Sequence, residues 1–366
     1  MPKHIVQIIG DGRNGGGTIN VLALVADMIA SQARITFVSQ EGSEALARAR
    51  ALGAAAVGID FMSTRINFRA ISRLKETVAT LEPDVIHVHG ARAGLPLSFA
   101  LDAQRRFPVC YTLRGAHFVG KRQPMRYLAM RAERRCHRMA DASIFVSQHD
   151  LELCASRRLV RARGQSLVIG NGIEIDEFPA PKPPDPRLVT FLGRLSFEKQ
   201  PEIVLRVARE MAADGYRFQM IGGGPEAERL HRLARELRLG DAMAFLGELP
   251  RAIALERLNG SGALLLPSQW EGFPLAPIEA MALGIPTVAA RVGGVPEVVE
   301  DGVTGRAVAG HAVADYVAAL RAVTADGPSR RRMIEACRER AATRFSRRRV
   351  ALDHLALYDE LCARRR

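Results

Sequence analysis

Two successive series of buried-strand and helix segments, divided by a run of prolines, leave this chain few folds to choose from. The first series holds the apolar runs "HIVQII" (4–9), "RITFVS" (34–39), "DVIHVH" (84–89), "VCYTL" (109–113) and "ASIFVS" (142–147). Runs of this kind mark parallel strands covered on both faces. Helix-length segments such as Thr18–Ser31 and Asn67–Leu81 lie between them. "EFPAPKPPDPR" (177–187) then carries five prolines and favours an extended, semi-rigid connection. The alternation restarts with "LVTFLG" (188–193), "FQMIGG" (218–223), "MAFLG" (243–247), "ALLLP" (263–267) and "PTVAA" (286–290). The expected architecture is α/β, with two doubly wound parallel sheets. The expected boundaries are a first domain over 1–178, a linker over 179–187, a second domain over 188–345 and a C-terminal helix over 346–366.

With 366 residues, 48% hydrophobic and 25% charged, the composition suits two globular domains and excludes a disordered chain. Val21–Ala30 is broken by Asp27, and Ala280–Ala290 carries Gly284 and Pro286. Neither reaches the roughly 18–20 apolar residues a membrane-spanning helix needs. The apolar start is too short for a signal peptide, so a cytoplasmic location is expected. Cys110, Cys136, Cys154, Cys337 and Cys362 show no CxxC spacing and read as reduced thiols.

The formal net charge is +13, and residues 105–138 hold ten Lys/Arg against one acid, Glu133. Such a patch favours phosphates, whether of nucleic acid, anionic lipid or a small molecule. Met125, Leu128, Ala132, Cys136 and Met139 mark an apolar helix face within it, opposite the arginines.

The glycine-rich "GDGRNGGGTIN" (10–20) follows the first strand and opens a helix. Gly10, Gly12, Gly15, Gly16 and Gly17 do not keep the GxGxxG register, and no P-loop lysine follows. An anion-binding turn and a plain structural turn both fit, and a nicotinamide site fits less well. "DVIHVHG" sets His87 and His89 at the carboxyl end of a strand, where open parallel sheets bind ligands. Two histidines without a third ligand do not make a zinc site, and His87 reads as a hydrogen-bonded structural residue. "TLRGAHF" (112–118) puts Arg114 and His117 in the next such loop. In the second series, "FLGRLSFEKQPEI" places Arg194 and Lys199 between a strand and a helix begun by Pro201, which suits a diphosphate. Glu271 and Glu279 stand eight apart in "EGFPLAPIEAMALG". By spacing alone they are a catalytic pair, the two ends of a ligand clamp, or a surface charge and a cap.

"PDVIHVH", "ADASIFVS", "VIGNGIEIDEF", "GRLSFEKQPEI", "MIGGGPE", "FLGEL" and "PSQWEGFPLAPIEAMALGIPTVAARVGGVPEVVEDGVTGRAV" follow one another in an order that resembles family 4 glycosyltransferases. The likeness covers nearly the whole chain and is most specific over 191–308. It implies a GT-B fold, two Rossmann-like domains facing a central cleft, with the C-terminal helix packing back on the first. It implies a retaining transferase that needs no cofactor and no metal and uses a UDP- or GDP-linked sugar. The glutamate pair then becomes the family's E-x7-E clamp. Glu271 would accept from the donor sugar's hydroxyls and Glu279 from the ribose. Backbone N–H groups of the Phe273–Leu275 turn would hold the distal phosphate, and Gly272, Pro274 and Leu249 would line the donor site. Arg194 and Lys199 would neutralise the departing diphosphate, and Gly16 would approach it from the first domain. Relatives commonly carry T-x-H-G where this chain has Arg114. An arginine cannot act as a base, so His117 is the candidate imidazole.

The expected acceptor is a glycan or lipid-linked sugar of a bacterial envelope polysaccharide or lipopolysaccharide, bound by the first domain. The basic stretch raises peripheral attachment to the inner face of an anionic membrane. A sugar-nucleotide epimerase or hydrolase is the nearest rival activity. A non-enzymatic module for anionic surfaces is the rival of another class. Aromatic residues are 5% and form no stacking platform, which argues against nucleic acid.

Overall fold

The computed structural model describes residues 2–12, 16–63, 67–102, 104–160 and 165–365. Gly15 and Arg366 lie outside them. By its contacts the chain forms two compact units, one of Met1–Asn171 with Arg347–Arg366, the other of Gly172–Ser346.

In the first unit the strands are β1 (His4–Ile9), β2 (Arg34–Gln40), β3 (Ala55–Ile59), β4 (Val85–His89), β5 (Val109–Leu113), β6 (Ala142–Phe145) and β7 (Gln165–Val168). They run parallel in the order β3-β2-β1-β4-β5-β6-β7. Strand order reverses at β1 and β4, so the carboxyl ends of this pair border the crevice where doubly wound sheets receive ligands. Ile5, Val6, Ile8, Val85, Ile86 and Val88 are fully buried, as strands covered on both faces require.

The second unit repeats the plan with β8 (Asp185–Leu192), β9 (Arg217–Ile221), β10 (Met243–Gly247), β11 (Ser261–Leu266), β12 (Thr287–Ala290) and β13 (Gly305–Val308). Their order, β10-β9-β8-β11-β12-β13, has its reversal at β8 and β11. The proline-rich stretch expected as a linker belongs to this unit by its contacts, and its last residues already form β8. Pro186 is tolerated there because the β8–β11 register shifts between Ser261 and Ala263. A side chain at Gly262 would meet the Asp185 carbonyl at 2.5 Å, so glycine is needed beside it.

Helix Arg347–Ala363 returns to the first unit, as expected, and buries Ala351, Leu357, Tyr358 and Leu361 against β1, β4 and helix Gly16–Ala30. Arg347 forks onto Asp27 at 2.7 and 3.2 Å and fixes the entry of this helix. Helix Phe68–Leu81 opens at Asn67, whose side chain accepts from the N–H groups of Arg69 and Ala70.

The basic helix runs from Met125 to Met139, and its buried face keeps Cys136 and Met139 of the expected stripe but not Leu128. Glu133, Cys136 and His137 are buried, whereas Leu128 is 52% exposed. The helix packs through Ala129, Met130, Cys136 and Met139, which turns Leu128 and Tyr127 outward. No helix among the described residues is long and apolar enough to cross a membrane. All five cysteines are free thiols.

Candidate active site

In the second unit three strand-end loops stack backbone against backbone at the sheet's carboxyl edge. Gly193 N–H donates to the Ile221 carbonyl and Leu195 N–H to that of Gly223, while Glu226 N–H reaches back to Leu195. A Cβ at Gly222, with φ of +142°, would lie 2.0 Å from the Gly193 carbonyl oxygen, so no larger residue fits. "IGGGPE", weak as an anion signal by itself, is thus the bed on which the Arg194–Lys199 loop lies. On the other side Gln269 N–H donates to the Glu198 carbonyl at 2.7 Å.

This stacking brings Lys199 to Glu271. Lys199 Nζ donates to Glu271 Oε1 at 2.5 Å, and Ser268 Oγ donates to the same oxygen at 2.6 Å. Glu271 is fixed from behind as well, because Gly294 N–H bonds its carbonyl at 3.1 Å. Any side chain at Gly293 would collide with that carbonyl at 1.8 Å. Arg194 projects from the same loop, exposed, and its side chain has no partner among the described residues.

Beyond Glu271 the chain turns through Gly272 and Phe273. Pro274 then begins helix Leu275–Ala282 as its N-cap, without a side-chain cap for the first N–H groups. Pro277 sits in the first turn, where a missing N–H breaks no helical bond. Phe273 packs against Phe345, ring centres 6.0 Å apart, and anchors the turn. Glu279 follows one turn into the helix. Burial raises its pKa, and the attraction of Arg251, which donates to Oε1 at 3.2 Å, partly opposes the rise. Arg251 also bonds Glu177 at 3.0 Å. Leu249, half-buried, precedes Arg251 in the loop after β10.

Sequence reasoning missed Ser268 and Arg251. Ser268 had a signal in its place three residues before Glu271, but Arg251 had none in local spacing.

In the first unit Gly16 begins helix Gly16–Ala30 just beyond β1, and is exposed. His117 is exposed in the loop after β5. Arg114, not His117, enters the polar network at this sheet edge. Its NH2 donates to His89 Nδ1 at 3.2 Å and its NH1 to Asn171 Oδ1 at 3.2 Å. His89 Nε2 meets Gln7 Oε1 at 2.8 Å, Gln7 Nε2 meets the Tyr358 hydroxyl at 3.2 Å, and that hydroxyl meets His87 Nδ1 at 2.5 Å. His87 Nε2 ends the chain on Thr112 Oγ1 at 2.6 Å. Arginine has only donors, so it sets every later direction: each ring takes a hydrogen bond at Nδ1 and donates from Nε2–H. Burial holds both imidazoles well below their usual pKa, which keeps them neutral as this arrangement demands. His87 has the structural role expected of it.

Among the described residues no group of three or more His, Cys, Asp or Glu side chains is placed to hold a metal ion.

Two family models match adjoining parts of the chain, "Glycosyltransferase Family 4" over residues 14–177 and "Glycosyl transferases group 1" over residues 172–340. This chain belongs to the family 4 glycosyltransferases. It is 35% identical over 188 residues to D-inositol 3-phosphate glycosyltransferase 2 of Catenulispora acidiphila, a stretch covering 46% of this chain and 44% of that protein. It is 34% identical over 215 residues to D-inositol 3-phosphate glycosyltransferase of Geodermatophilus obscurus, covering 53% and 47%. The chain thus spans under half the length of the curated relatives it matches. Sucrose-phosphate synthase from Thermosynechococcus elongatus superposes on this glycosyltransferase with a TM-score of 0.84 at 23% identity, covering 99% of both chains. Anabaena HepE in complex with UDP-glucose gives 0.82 at 19% identity, covering 98% of this chain and all of that one. These likenesses establish the GT-B type of its two parallel-sheet, Rossmann-like domains.

Proposed function

We propose that this protein is a retaining, metal-independent glycosyltransferase that moves a sugar from a UDP- or GDP-linked donor to a glycan or lipid-linked acceptor, in bacterial envelope polysaccharide or lipopolysaccharide synthesis. The observation that carries this reading is the Lys199–Glu271–Ser268 cluster beside the partnerless Arg194. Lys199 and Ser268 both occupy Oε1 of Glu271, and Oε2 accepts no hydrogen bond among the described residues. That oxygen suits a sugar hydroxyl. Arg194 supplies charge where the nucleoside diphosphate leaves, and the uncapped N–H groups after Pro274 add theirs. Glu279 takes the ribose hydroxyls beside Gly272, Phe273 and Leu249. Gly16 is assigned to the diphosphate and His117 to the sugar. HepE has been solved with UDP and with UDP-glucose, which favours uracil as the first base to test.

The test is titration of the full chain with UDP, GDP and ADP, read as thermal stabilisation that grows with ligand concentration. One nucleotide should bind saturably, and its sugar conjugate should serve as donor in EDTA. If none stabilises the protein, the reading fails. Release of free sugar without any transfer would favour the hydrolase alternative.

Peripheral attachment to an anionic membrane belongs to the same proposal. Exposed Val119, Tyr127 and Leu128 sit among Lys121, Arg122, Arg126 and Arg131, an arrangement suited to an interface with acidic lipid.

A further inference from the structure

The first unit contains a shielded cation that lacks a counter-ion. Arg105, Arg330 and Arg347 are also largely shielded, and each has a carboxylate: Asp141, Asp326 and Asp27 respectively. Arg114 has none among the described residues, only the neutral His89 and Asn171. Its Nε is screened from solvent and makes no hydrogen bond. Burial alone draws its pKa down to about 10, which still leaves it charged in neutral solution. The network behind it cannot neutralise that charge, because both histidines are uncharged and the relay moves no net proton. A shielded, hydrogen-bond-deficient guanidinium is costly unless something anionic meets it.

Its surroundings suit an anion. Arg114 follows β5, next to β4, whose end at Gly90 has φ of +74° and open space on the side where a Cβ would stand. Helix Ala91–Ala100 starts at Gly90 with no side-chain cap. Helix Gly16–Ala30 starts at the end of β1, the neighbouring strand. Both place positive helix ends at the sheet reversal where Arg114 stands.

We propose that Arg114, backed by His89 and flanked by these two helix starts, recognises a phosphate or carboxylate carried by the acceptor. This rests on the glycosyl-transfer reading, in which the second unit already supplies the cations for the donor's diphosphate. The fork of the guanidinium fits two oxygens of such a group, and the His89 bond holds its plane. Arg114 is therefore a specificity residue, selecting a charged acceptor over a neutral sugar.

The experiment uses the full chain with inorganic phosphate, glucose 6-phosphate and glucuronate as probes, glucose as neutral control, and Arg114→Gln and Arg114→Lys as variants. The anionic probes should stabilise the wild type against heat, and glucose should not. Arg114→Gln should weaken their binding at least tenfold, leave the nucleotide titration unchanged, and melt no lower than wild type without ligand. Arg114→Lys keeps the charge but not the fork, and should lie between; it also serves if Arg114→Gln does not fold. Equal binding of the anions by wild type and Arg114→Gln, or none by wild type, overturns the proposal. So does a preference for UDP-glucuronate over UDP-glucose that vanishes in Arg114→Gln, since the anion would then belong to the donor. If no nucleotide binds while the anion response still depends on Arg114, the anion site stands and the transfer reading falls.

Discussion

Lys199 Nζ lies 2.5 Å from Glu271 Oε1, with the two side chains 23% and 8% exposed, so the cation and the acid hold each other out of water. Arg194, five residues earlier on the same loop, is exposed and has no such partner. Two cations of one loop therefore differ in how they should respond to mutation. Arg194→Ala should lower turnover by about two or more orders of magnitude, as loss of charge stabilisation often does, and leave the melting temperature near that of wild type. Lys199→Ala should lower both, because it strands a shielded carboxylate, at a cost of about 3 kcal/mol or more. Thermal melts beside steady-state kinetics decide it, and equal stability of the two variants would count against the pairing.

Glu279 and Glu271 should separate in kinetics. Glu279→Ala removes the acceptor for the ribose and frees Arg251, so nucleotide affinity itself should drop. Glu271→Ala should chiefly lower kcat with the nucleotide still bound, since only sugar orientation is lost. Calorimetric titration with the nucleoside diphosphate checks the pair, and unchanged affinity in Glu279→Ala would refute the ribose contact.

Transfer should persist after dialysis against EDTA. Arg194, Lys199 and the N–H groups after Pro274 are proposed to carry the phosphate charge that a metal ion would otherwise meet. Activity lost in EDTA and restored by magnesium or manganese would show that the site had been misread.

Stability should rise with pH between about 4 and 6.5. Burial lowers the pKa of His354 and His137 to about 4 and holds His87 and His89 well below the usual value. In that window the unfolded chain takes up protons that the folded one refuses, by up to about 1.4 kcal/mol per pH unit for each histidine. Glu133 acts in the opposite sense. Burial raises it to about 7, above the opposing effect of its 2.5 Å bond from the Tyr111 hydroxyl, so the folded state keeps a proton that the unfolded state has lost. Urea midpoints at pH 5, 6 and 7 should increase, and Glu133→Gln should steepen the increase. A flat profile would mean that water reaches the histidines.

On acidic vesicles at low salt the protein should co-sediment, and added salt should release it. Charge reversal at Arg126, Arg131 and Lys121 should abolish binding without touching nucleotide affinity. Arg134 is a poorer choice, because it donates to the carbonyls of Arg157 and Arg158 and supports the neighbouring helix. Tyr127→Ser with Leu128→Ser should weaken binding at high salt more than at low. Equal partition to neutral vesicles would refute the electrostatic account.

Ten of the thirteen strands among the described residues could be read from apolar runs alone, and the three that could not are all edge strands, as is β10, whose "MAFLG" was legible. β3, β7 and β13 each close one edge of a sheet, where only part of the strand is covered. "AAVGI", "QSLV" and "GRAV" therefore lack the continuous apolar run that burial on both faces imposes. The same limit explains the basic helix, where spacing alone put Leu128 on the buried face, because a partner's position, not the period, decides how far the covered stripe extends. At the site, residues close in sequence were legible and their partners were not. Glu271 and Glu279 announce themselves within one motif, whereas Arg251 meets Glu279 only through tertiary folding. Tyr358 was invisible for the same reason, since it reaches His87 across 271 positions.

That last contact governs the order in which the molecule can be made. A chain leaving the ribosome exposes β1 to β7 long before Ala351–Leu361 exist to cover Ile5, Val85 and Cys110. Gln7 and His87 wait equally long for the Tyr358 hydroxyl. The second unit, by contrast, is contiguous and complete once Ser346 emerges. The amino-terminal unit therefore closes only after the whole of the second has been made, and a chain cut off after Ser346 would hold one complete unit beside one that still lacks the helix Arg347–Ala363.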